Sequence, residues 1–218
     1  MKFSFLILIF TVLCPLDAAG AEVTYEVFSM PMNEAAKLRR EKLGGEESYR
    51  RILNQLEKGE VRQEGWMTVK MVEGKRAILE EVDEFIFPTE YDRARVIFGT
   101  SGPIMGVKQP LFPIPDTASA YDTKNMGNTL ELELQKKGGS FFLRLGATKV
   151  SLIGVDEFGE KTGKVEMPRF AIQALKTGVR VVSGKAALVG TVSPPRDLQK
   201  GEEKRVWLAF VTVTEAND

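Results

Sequence analysis

The sequence has no histidine and a single cysteine among 218 residues. Histidine is the commonest general base and the commonest metal ligand, so catalysis would have to rest on carboxylate, lysine or serine side chains. Cys14 lies in the apolar N-terminal run, and the chain beyond it therefore has no thiol for a disulfide, a nucleophile or a metal site. These absences indicate a noncatalytic protein without a cofactor, and they predict no catalytic, cofactor-binding or metal-binding residues.

An excess of charge is also missing, because 30 basic residues balance 30 acidic residues. Nucleic acids and anionic lipid surfaces attract proteins through a large positive field, so no nucleic-acid partner is expected. Hydrophobic residues make up 43% of the chain, which is enough to bury a core. The length corresponds to about one domain, with room for a small additional segment.

Residues 1–21 contain the one long apolar run. Lys2 precedes the apolar residues 3–16, and Ala19-Gly20-Ala21 supplies the small residues that a signal peptidase accepts. An uncleaved membrane anchor is the alternative, but about 14 apolar residues are fewer than the roughly 20 that a spanning helix needs. We expect a signal peptide that is cleaved after Ala21, and export to the periplasm or the outer membrane.

Residues 22–60 are predicted to form a strand followed by a helical segment. Alternating apolar residues predict a strand over 22–28 that ends at Pro31, and Asn33 is the candidate N-cap of a helix over 34–43. After Gly44-Gly45, a second helix is indicated by apolar residues at helical spacing, by acidic residues at its start, and by Lys58 and Gly59 at its end. These apolar residues are Tyr49, Ile52, Leu53 and Leu56, and the acidic residues are Glu46 and Glu47.

From residue 61 onward the alternation is that of strands. Residues 67–72 and 77–87 flank Glu73-Gly74-Lys75, a pattern that predicts a hairpin. The second strand carries a cluster of carboxylates that could indicate a metal site or an acid–base pair. Neighbouring side chains of a strand point to opposite faces, however, and no further ligand pattern accompanies them, so we interpret them as exposed edge charges. The carboxylates belong to Glu80, Glu81, Asp83 and Glu84.

Residues 99–116 hold three glycines and four prolines among eighteen residues, which predicts a connection or a sheet edge. A functional loop and a merely covering loop both fit this composition.

The clearest strand pattern follows. Residues 130–134 and 141–145 alternate around Lys137-Gly138-Gly139 and predict a hairpin with one apolar face. That face must be covered either by the helix at residues 49–56 or by a neighbouring chain. The apolar stripe of the helix is wide enough for one such face, so we expect a self-contained, soluble protomer with weak or partner-dependent oligomerisation. The face consists of Leu130, Leu132, Leu134, Phe141, Leu143 and Leu145.

Gly178 and Gly184-Lys185 suggest a phosphate-binding loop. Such a loop needs four residues between the glycines and a hydroxyl residue after the lysine, whereas this sequence has five residues there and Ala186. We instead predict a strand over 179–182, a tight turn at 183–185 that exposes Lys185, and a returning strand over 186–192.

Three stretches of the sequence carry a family resemblance: YDTKNMGNTLELEL, SFFLRLGATKVSLIG and MPRFAIQALKTGVRVVSGKAALVGTVSPP. Together they resemble the C-terminal β-domain of secretins, the ring proteins of type II secretion, type III secretion and pilus systems, and RVWLAFVTVT resembles the last strand of that domain. The resemblance is best over residues 121–192 and looser over 61–214. The segment between Thr191 and Val206 is shorter than in the family, and other residues replace the small ring domains that precede it there. The matching positions are Gly127, Pro168, Phe170, Thr177, Gly184, Leu188 and Gly190.

The sequence and this resemblance together predict a β-rich α+β fold of antiparallel hairpins with a short N-terminal helical segment. The expected divisions are a signal peptide at 1–21, the strand and helical segment at 22–60 and a secretin-like domain at 61–218. The resemblance implies a truncated secretin β-domain with a structural or accessory role, acting by strand pairing or assembly, with self-association or envelope secretion-system components as partners. A periplasmic ligand-binding protein or a carboxylate-dependent enzyme is the alternative.

Overall fold

The computed structural model describes residues 20–93, 95–98, 111–114, 116–159, 164–195 and 204–215. Most of this part of the chain is strand, and two short helices follow the first strand. The elements in chain order are β1 (Gly20–Pro31), α1 (Met32–Arg40), α2 (Gly45–Glu57), β2 (Arg62–Val72), β3 (Arg76–Asp92), β4 (Arg95–Phe98), β5 (Leu111–Ile114), β6 (Thr117–Lys137), β7 (Ser140–Phe158), β8 (Val165–Val182), β9 (Ala187–Val192) and β10 (Arg205–Glu215).

The strands form two four-stranded antiparallel sheets and one small hairpin. Sheet A has the order β2-β1-β10-β9, sheet B has the order β3-β6-β7-β8, and β4 pairs with β5. The predicted β-rich α+β class is therefore confirmed. Because β1 lies between β2 and β10, the segments 22–60 and 61–218 share one sheet.

The main core lies between the two sheets. Leu130, Leu134 and Leu143 on sheet B are fully buried, and they belong to one apolar cluster with Val23 and Val211 on sheet A. The prediction that the 49–56 helix covers this face of sheet B was wrong, because sheet A covers it. Two sheets whose strands alternate apolar and polar residues can bury their apolar faces against each other. The helix is then free to cover a different apolar face.

The helices cover the opposite face of sheet A and form a second core. Phe28, Tyr49 and Phe210 contact one another with ring centroids 5.5 to 6.1 Å apart. The Tyr49 hydroxyl donates a 2.6 Å hydrogen bond to the buried Glu26 carboxylate, which also accepts one from Gln63 Nε2 at 3.0 Å. Burial and this hydrogen bond raise the pKa of Tyr49 well above its usual range. The carboxylate therefore fixes α2 against sheet A.

The helix ends differ in part from the prediction. Helix α1 begins at Met32 directly after the cap residue Pro31, so Asn33 lies inside the helix and is not its N-cap. Gly45 is the first residue of α2, where a Cβ atom would come within 2.8 Å of the Ala186 carbonyl oxygen. Lys58 caps α2 and Gly59 follows with φ +76°, as predicted.

The two predicted tight turns exist, but neither joins paired strands. Residues 73–75 lead from β2 in sheet A to β3 in sheet B, so the predicted hairpin over 67–87 was wrong. Residues 183–185 lead from β8 in sheet B to β9 in sheet A in the same way. Gly74 N–H donates to the Leu134 carbonyl and Gly184 N–H donates to the Val213 carbonyl, each at 2.8 Å. The first bond fixes the 73–75 turn to β6, and the second fixes the 183–185 turn to β10. The β6–β7 hairpin around 137–139 is confirmed.

Candidate assembly surface

Sheet B is longer than sheet A, and about half of it lies beyond the shared core. The core contacts of sheet B end at Leu79, Leu130, Ala147 and Leu175. Beyond them lie residues 81–92, 117–128, 149–158 and 165–173, which we call the overhang. None of its side chains is buried. At about 3.3 Å per residue, strands of this length reach some 30 Å past the core.

The outer face of the overhang, turned away from sheet A, carries an apolar row across all four strands. Val82 pairs with Gly127, Gly127 with Val150, and Val150 with Ile172. Gly127 has φ +129°, and a Cβ atom there would lie 2.1 Å from the Glu81 carbonyl oxygen. Only glycine fits at this position. Ile172 is 57% exposed, so the row ends at an accessible apolar side chain.

The inner face of the overhang is polar where it leaves the core. Glu81, Asn128, Lys149 and Gln173 form one row across the four strands. Lys149 Nζ donates to the Glu64 carbonyl at 3.3 Å, which joins the two sheets at this point. The cavity beside Asn128, Lys149 and Gln173 measures about 50 Å³, which is room for a water or two and far below the roughly 300 Å³ of a small-molecule site. A cleft of about 430 Å³ lies beside Glu81 and Asn128, and Trp66 and Asp83 also line it.

The strands β3 and β8 are the two edges of sheet B, and they carry opposite charges. The predicted exposure of the β3 carboxylates is confirmed, since Glu80, Glu81, Asp83 and Glu84 are all exposed. Asn128 Nδ2 donates to Glu81 Oε2 at 3.2 Å. The other edge strand, β8, carries exposed cations, with Glu166 as the acidic residue of that strand. These cations are Arg169, Lys176 and Arg180.

The overhang is curled, so that its edges meet at the tip. The Tyr91 hydroxyl on β3 lies 3.3 Å from both the N–H and the carbonyl oxygen of Glu166 on β8. The rings of Phe85, Phe87 and Phe170 also contact one another, with centroids 5.5 to 6.3 Å apart. Each of these contacts involves a side chain of β3, and within the described residues β3 and β8 are not paired by hydrogen bonds between their main chains.

The stretch that suggested a phosphate-binding loop is a turn with an exposed lysine. Gly184 has φ +71° and Lys185 is exposed, as predicted. The neighbouring Glu46 carboxylate accepts a 2.8 Å hydrogen bond from Ala186 N–H. This bond, with further help from Arg50, lowers the pKa of Glu46 below its usual range. The turn thus ties α2 to β9.

The Pro/Gly-rich interval at 99–116 is partly strand, because residues 111–114 form β5 and pair with β4. Residues 99–110 of that interval lie outside the described residues, as do residues 1–19 of the expected signal peptide.

Sequence reasoning missed the overhang, the basic edge and the ring cluster. The strand lengths and the β8 cations were visible in the sequence, but the meeting of residues 85 and 170 depends on pairings far apart in the chain. Of the positions on which the family resemblance in the sequence rests, Gly127 lies in the apolar row and Phe170 in the ring cluster. A Cβ atom at Gly190 would lie 2.7 Å from Leu175 Cδ1.

Neither helix in the described ranges has the length and apolarity that a membrane span requires. In the same part of the chain, no group of three or more acidic side chains is placed to hold a metal ion.

The chain is similar in structure to secretins over nine tenths of its length. The secretin domain of InvG from the Salmonella SPI-1 injectisome matches with 13% identity and a TM-score of 0.45, covering 92% of this chain and 64% of that one. PilQ, the type IV competence pilus secretin of V. cholerae, matches with 14% identity and a TM-score of 0.41, covering 91% and 58%. GspD in the ETEC complex with the pilotin AspS matches with 10% identity and a TM-score of 0.40, covering 92% and 50%.

This chain therefore spans between half and two thirds of each of these secretin chains. No family model and no curated protein sequence matches it.

Proposed function

We propose that the chain is an exported, noncatalytic structural protein of a secretion apparatus. Its copies assemble in the periplasm or at the outer membrane when the β3 edge of one copy pairs with the β8 edge of the next. The edge strands of sheet B carry this proposal, because within the described chain no strand pairs with the outer edge of β3 or of β8. Uncovered strand edges of this length favour pairing with another chain.

The direction of the strands suits this pairing. Sheet B has four antiparallel strands, so its edge strands β3 and β8 run in opposite directions. A second copy placed in the same orientation beside the first brings its β8 antiparallel to β3, and the hydrogen-bond ladder continues. Each addition leaves a new free edge, which is the property of a head-to-tail assembly.

The charges select the head-to-tail arrangement over a two-fold one. Two β3 edges would place the carboxylates of residues 80–84 opposite one another, which is unfavourable. A β3 edge beside a β8 edge brings carboxylates to cations instead. The row of Glu80 reaches β8 at Ala174, two residues from Lys176 on the same face. Glu80 of one copy then neighbours Lys176 of the next.

The sequence supports the cellular part of the proposal. Residues 1–21 have the regions of a signal peptide, and the mature chain then begins at Glu22. Residues 121–192 resemble the secretin β-domain, which supports the secretion-related role. The apolar row on the outer face of the overhang would contact lipid or another envelope component. This row consists of Val82, Gly127, Val150 and Ile172.

Charge reversal on the two edges tests the proposal. One variant carries Glu80→Lys and Glu84→Lys on β3, and the other carries Lys176→Glu and Arg180→Glu on β8. Sedimentation equilibrium over a concentration series should show self-association for the wild type and its loss in each variant alone. An equimolar mixture should associate again, because each new edge meets its opposite charge. As a matched control, Glu47→Lys together with Glu57→Lys on α2 changes the net charge by as much as the β3 variant and should leave association unchanged.

The mixture decides between the arrangements. Association that survives both reversals, or a mixture no better than its components, contradicts pairing of β3 with β8. A wild type that stays monomeric at every concentration, with detergent and in the cell envelope, contradicts the structural role itself.

A further inference from the structure

An apolar groove lies beside β9 on the helical face of sheet A. It measures about 560 Å³ and runs between α1, the start of α2 and the last two strands of the sheet. Leu188 on β9 is 41% exposed there, and Met32 at the start of α1 is 45% exposed. Arg39 and Lys42 are exposed at the rim. The remaining apolar lining includes Ala35, Leu38, Leu43, Val206 and Leu208.

The other edge of sheet A carries an exposed tryptophan. Trp66 lies on the edge strand β2 and is 61% exposed, whereas Trp207, the other tryptophan of the chain, is 7% exposed. Exposing an indole of this size to water is unfavourable, and tryptophan is among the residue types enriched at the energetic centres of protein interfaces.

The tryptophan and the groove stand at the two ends of one row of sheet A. Trp66 pairs with Glu26, Glu26 with Phe210, and Phe210 with Leu188. Residues that are direct cross-strand neighbours share a face, so Trp66 and Leu188 both belong to the helical face of the sheet. The groove and the tryptophan therefore lie at one level along the strands and on one side of the sheet.

Two copies arranged head to tail bring these features together. The turn at 73–75 joins the β2 edge to the β3 edge, and the turn at 183–185 joins the β8 edge to the β9 edge. When β3 of one copy meets β8 of the next, β2 of the first therefore faces β9 of the second. This contact rests on the proposed head-to-tail assembly.

We infer that Trp66 of one copy occupies the α1–β9 groove of the next copy and anchors the interface. The groove suits an indole ring: its floor is apolar, and its rim offers a guanidinium and an ammonium group that can stack on the ring face. Arg39 and Lys42 supply these cations. Sheet A then contributes a packed contact at the same junction where sheet B contributes strand pairing.

Disulfide cross-linking tests the contact without interference from native thiols once Cys14→Ser has been introduced. The test variant carries Trp66→Cys and Leu188→Cys on one chain. The two positions are three strand spacings apart, about 14 Å, whereas a disulfide requires Cα atoms within about 7 Å. Any disulfide between them therefore joins two copies. Oxidation of the full chain followed by nonreducing electrophoresis should give a ladder of dimers and larger species.

The matched control carries Val72→Cys and Leu188→Cys. Val72 is exposed on the same strand but lies six residues from Trp66, about 20 Å along β2, so this pair should stay monomeric. A ladder of equal strength from the control pair would overturn the inference. Dimers from Trp66→Cys alone would also overturn it, because they would place two tryptophans together.

The charge-reversal experiment separates this inference from the proposed function. If the charge-reversed variants associate as a mixture, and the 66–188 pair gives no ladder at a concentration where sedimentation shows that this variant still self-associates, the groove contact is wrong and strand pairing stands. If neither association nor a ladder is found, both fail.

A second measurement needs no cysteine. Trp66→Ala should weaken self-association at least about tenfold, as expected for an interface tryptophan, whereas Phe158→Ala should leave it unchanged. Phe158 is a comparably exposed aromatic residue, at 53%, on the inner strand β7. Equal association of both variants with the wild type would contradict the anchoring role.

Discussion

Gly127 shows how a single residue permits the long strands of sheet B. It sits between β3 and β7 on an inner strand, and its φ of +129° is a conformation that residues with a side chain rarely adopt. The Glu81 carbonyl oxygen occupies the space where a Cβ atom would stand. The strand can therefore continue into the overhang only with glycine at this position.

Gly127→Ala should reduce the free energy of unfolding by about 2–4 kcal/mol, because it combines backbone strain with a main-chain clash. Gly146 on the same sheet is the matched control. A Cβ atom there would meet Glu131 Cβ at 3.8 Å, an ordinary contact, so Gly146→Ala should change the stability by less than about 1 kcal/mol. Urea denaturation followed by circular dichroism measures both, and equal effects would contradict the role of Gly127.

Tyr25 gives the core a dependence on alkaline pH. Burial between the sheets raises its pKa from 10.0 to about 12. In the unfolded chain Tyr25 ionises near pH 10, whereas in the folded chain it stays protonated up to about pH 12. Its contribution to stability is therefore complete below pH 10 and is lost as the pH rises through 12.

Between pH 10 and 12 the wild type should lose roughly 2–3 kcal/mol more stability than Tyr25→Phe, at about 1.4 kcal/mol for each unit of pKa shift. Thermal or urea denaturation at stepped pH compares the two proteins, and lysine titration affects both equally. Parallel pH curves for the two proteins would show that the Tyr25 hydroxyl is not held in an apolar site.

At the scale of elements, helix α2 packs on sheet A, in an apolar cluster separate from the one that contains the apolar face of sheet B. Its spacing of apolar residues predicted a helix correctly, but the sequence could not say which face the helix covers. Sheet A has two apolar faces, because β10 is buried along almost its whole length. One face meets sheet B, and Phe28 and Phe210 of the other meet the helix. Such a choice depends on strands distant in the chain.

A double-mutant cycle tests this placement. Tyr49→Leu and Phe210→Leu should couple by about 0.5–1.5 kcal/mol, because the rings contact at 5.5 Å. Tyr49→Leu and Leu132→Ala should add within about 0.5 kcal/mol, since Leu132 faces the core between the sheets. Coupling of Tyr49 with Leu132 instead of Phe210 would show that the helix packs on sheet B.

At the scale of the whole molecule, local pattern predicted the strands and turns, while pairing over long distances decided the architecture. Glu73-Gly74-Lys75 has the composition of a hairpin turn and is a turn, yet β3 pairs with β6, which begins at residue 117. The same holds for the turn that contains Gly184. The apolar face at 130–145 was predicted. Which layer covers it, and how far sheet B extends beyond it, depend on the crossing of the chain between the two sheets at these turns.

Because the chain crosses from one sheet to the other at both turns, β3 and β8 are the two outer strands of sheet B, and their separation beside the core is the basis of the proposed assembly. Ile78 on β3 and Lys176 on β8 stand at the ends of one row through Glu131 and Gly146. They are three strand spacings apart within a chain, about 14 Å, which is too far for a disulfide. In a head-to-tail assembly they become neighbours.

Oxidative cross-linking of Ile78→Cys with Lys176→Cys, in the full chain with Cys14→Ser, tests that pairing most directly. In the isolated cell envelope we expect a ladder of cross-linked copies that collapses to one band on reduction, while Ile78→Cys alone gives only monomer. A monomer from the double variant, or a dimer from Ile78→Cys alone, would contradict assembly through the β3 and β8 edges.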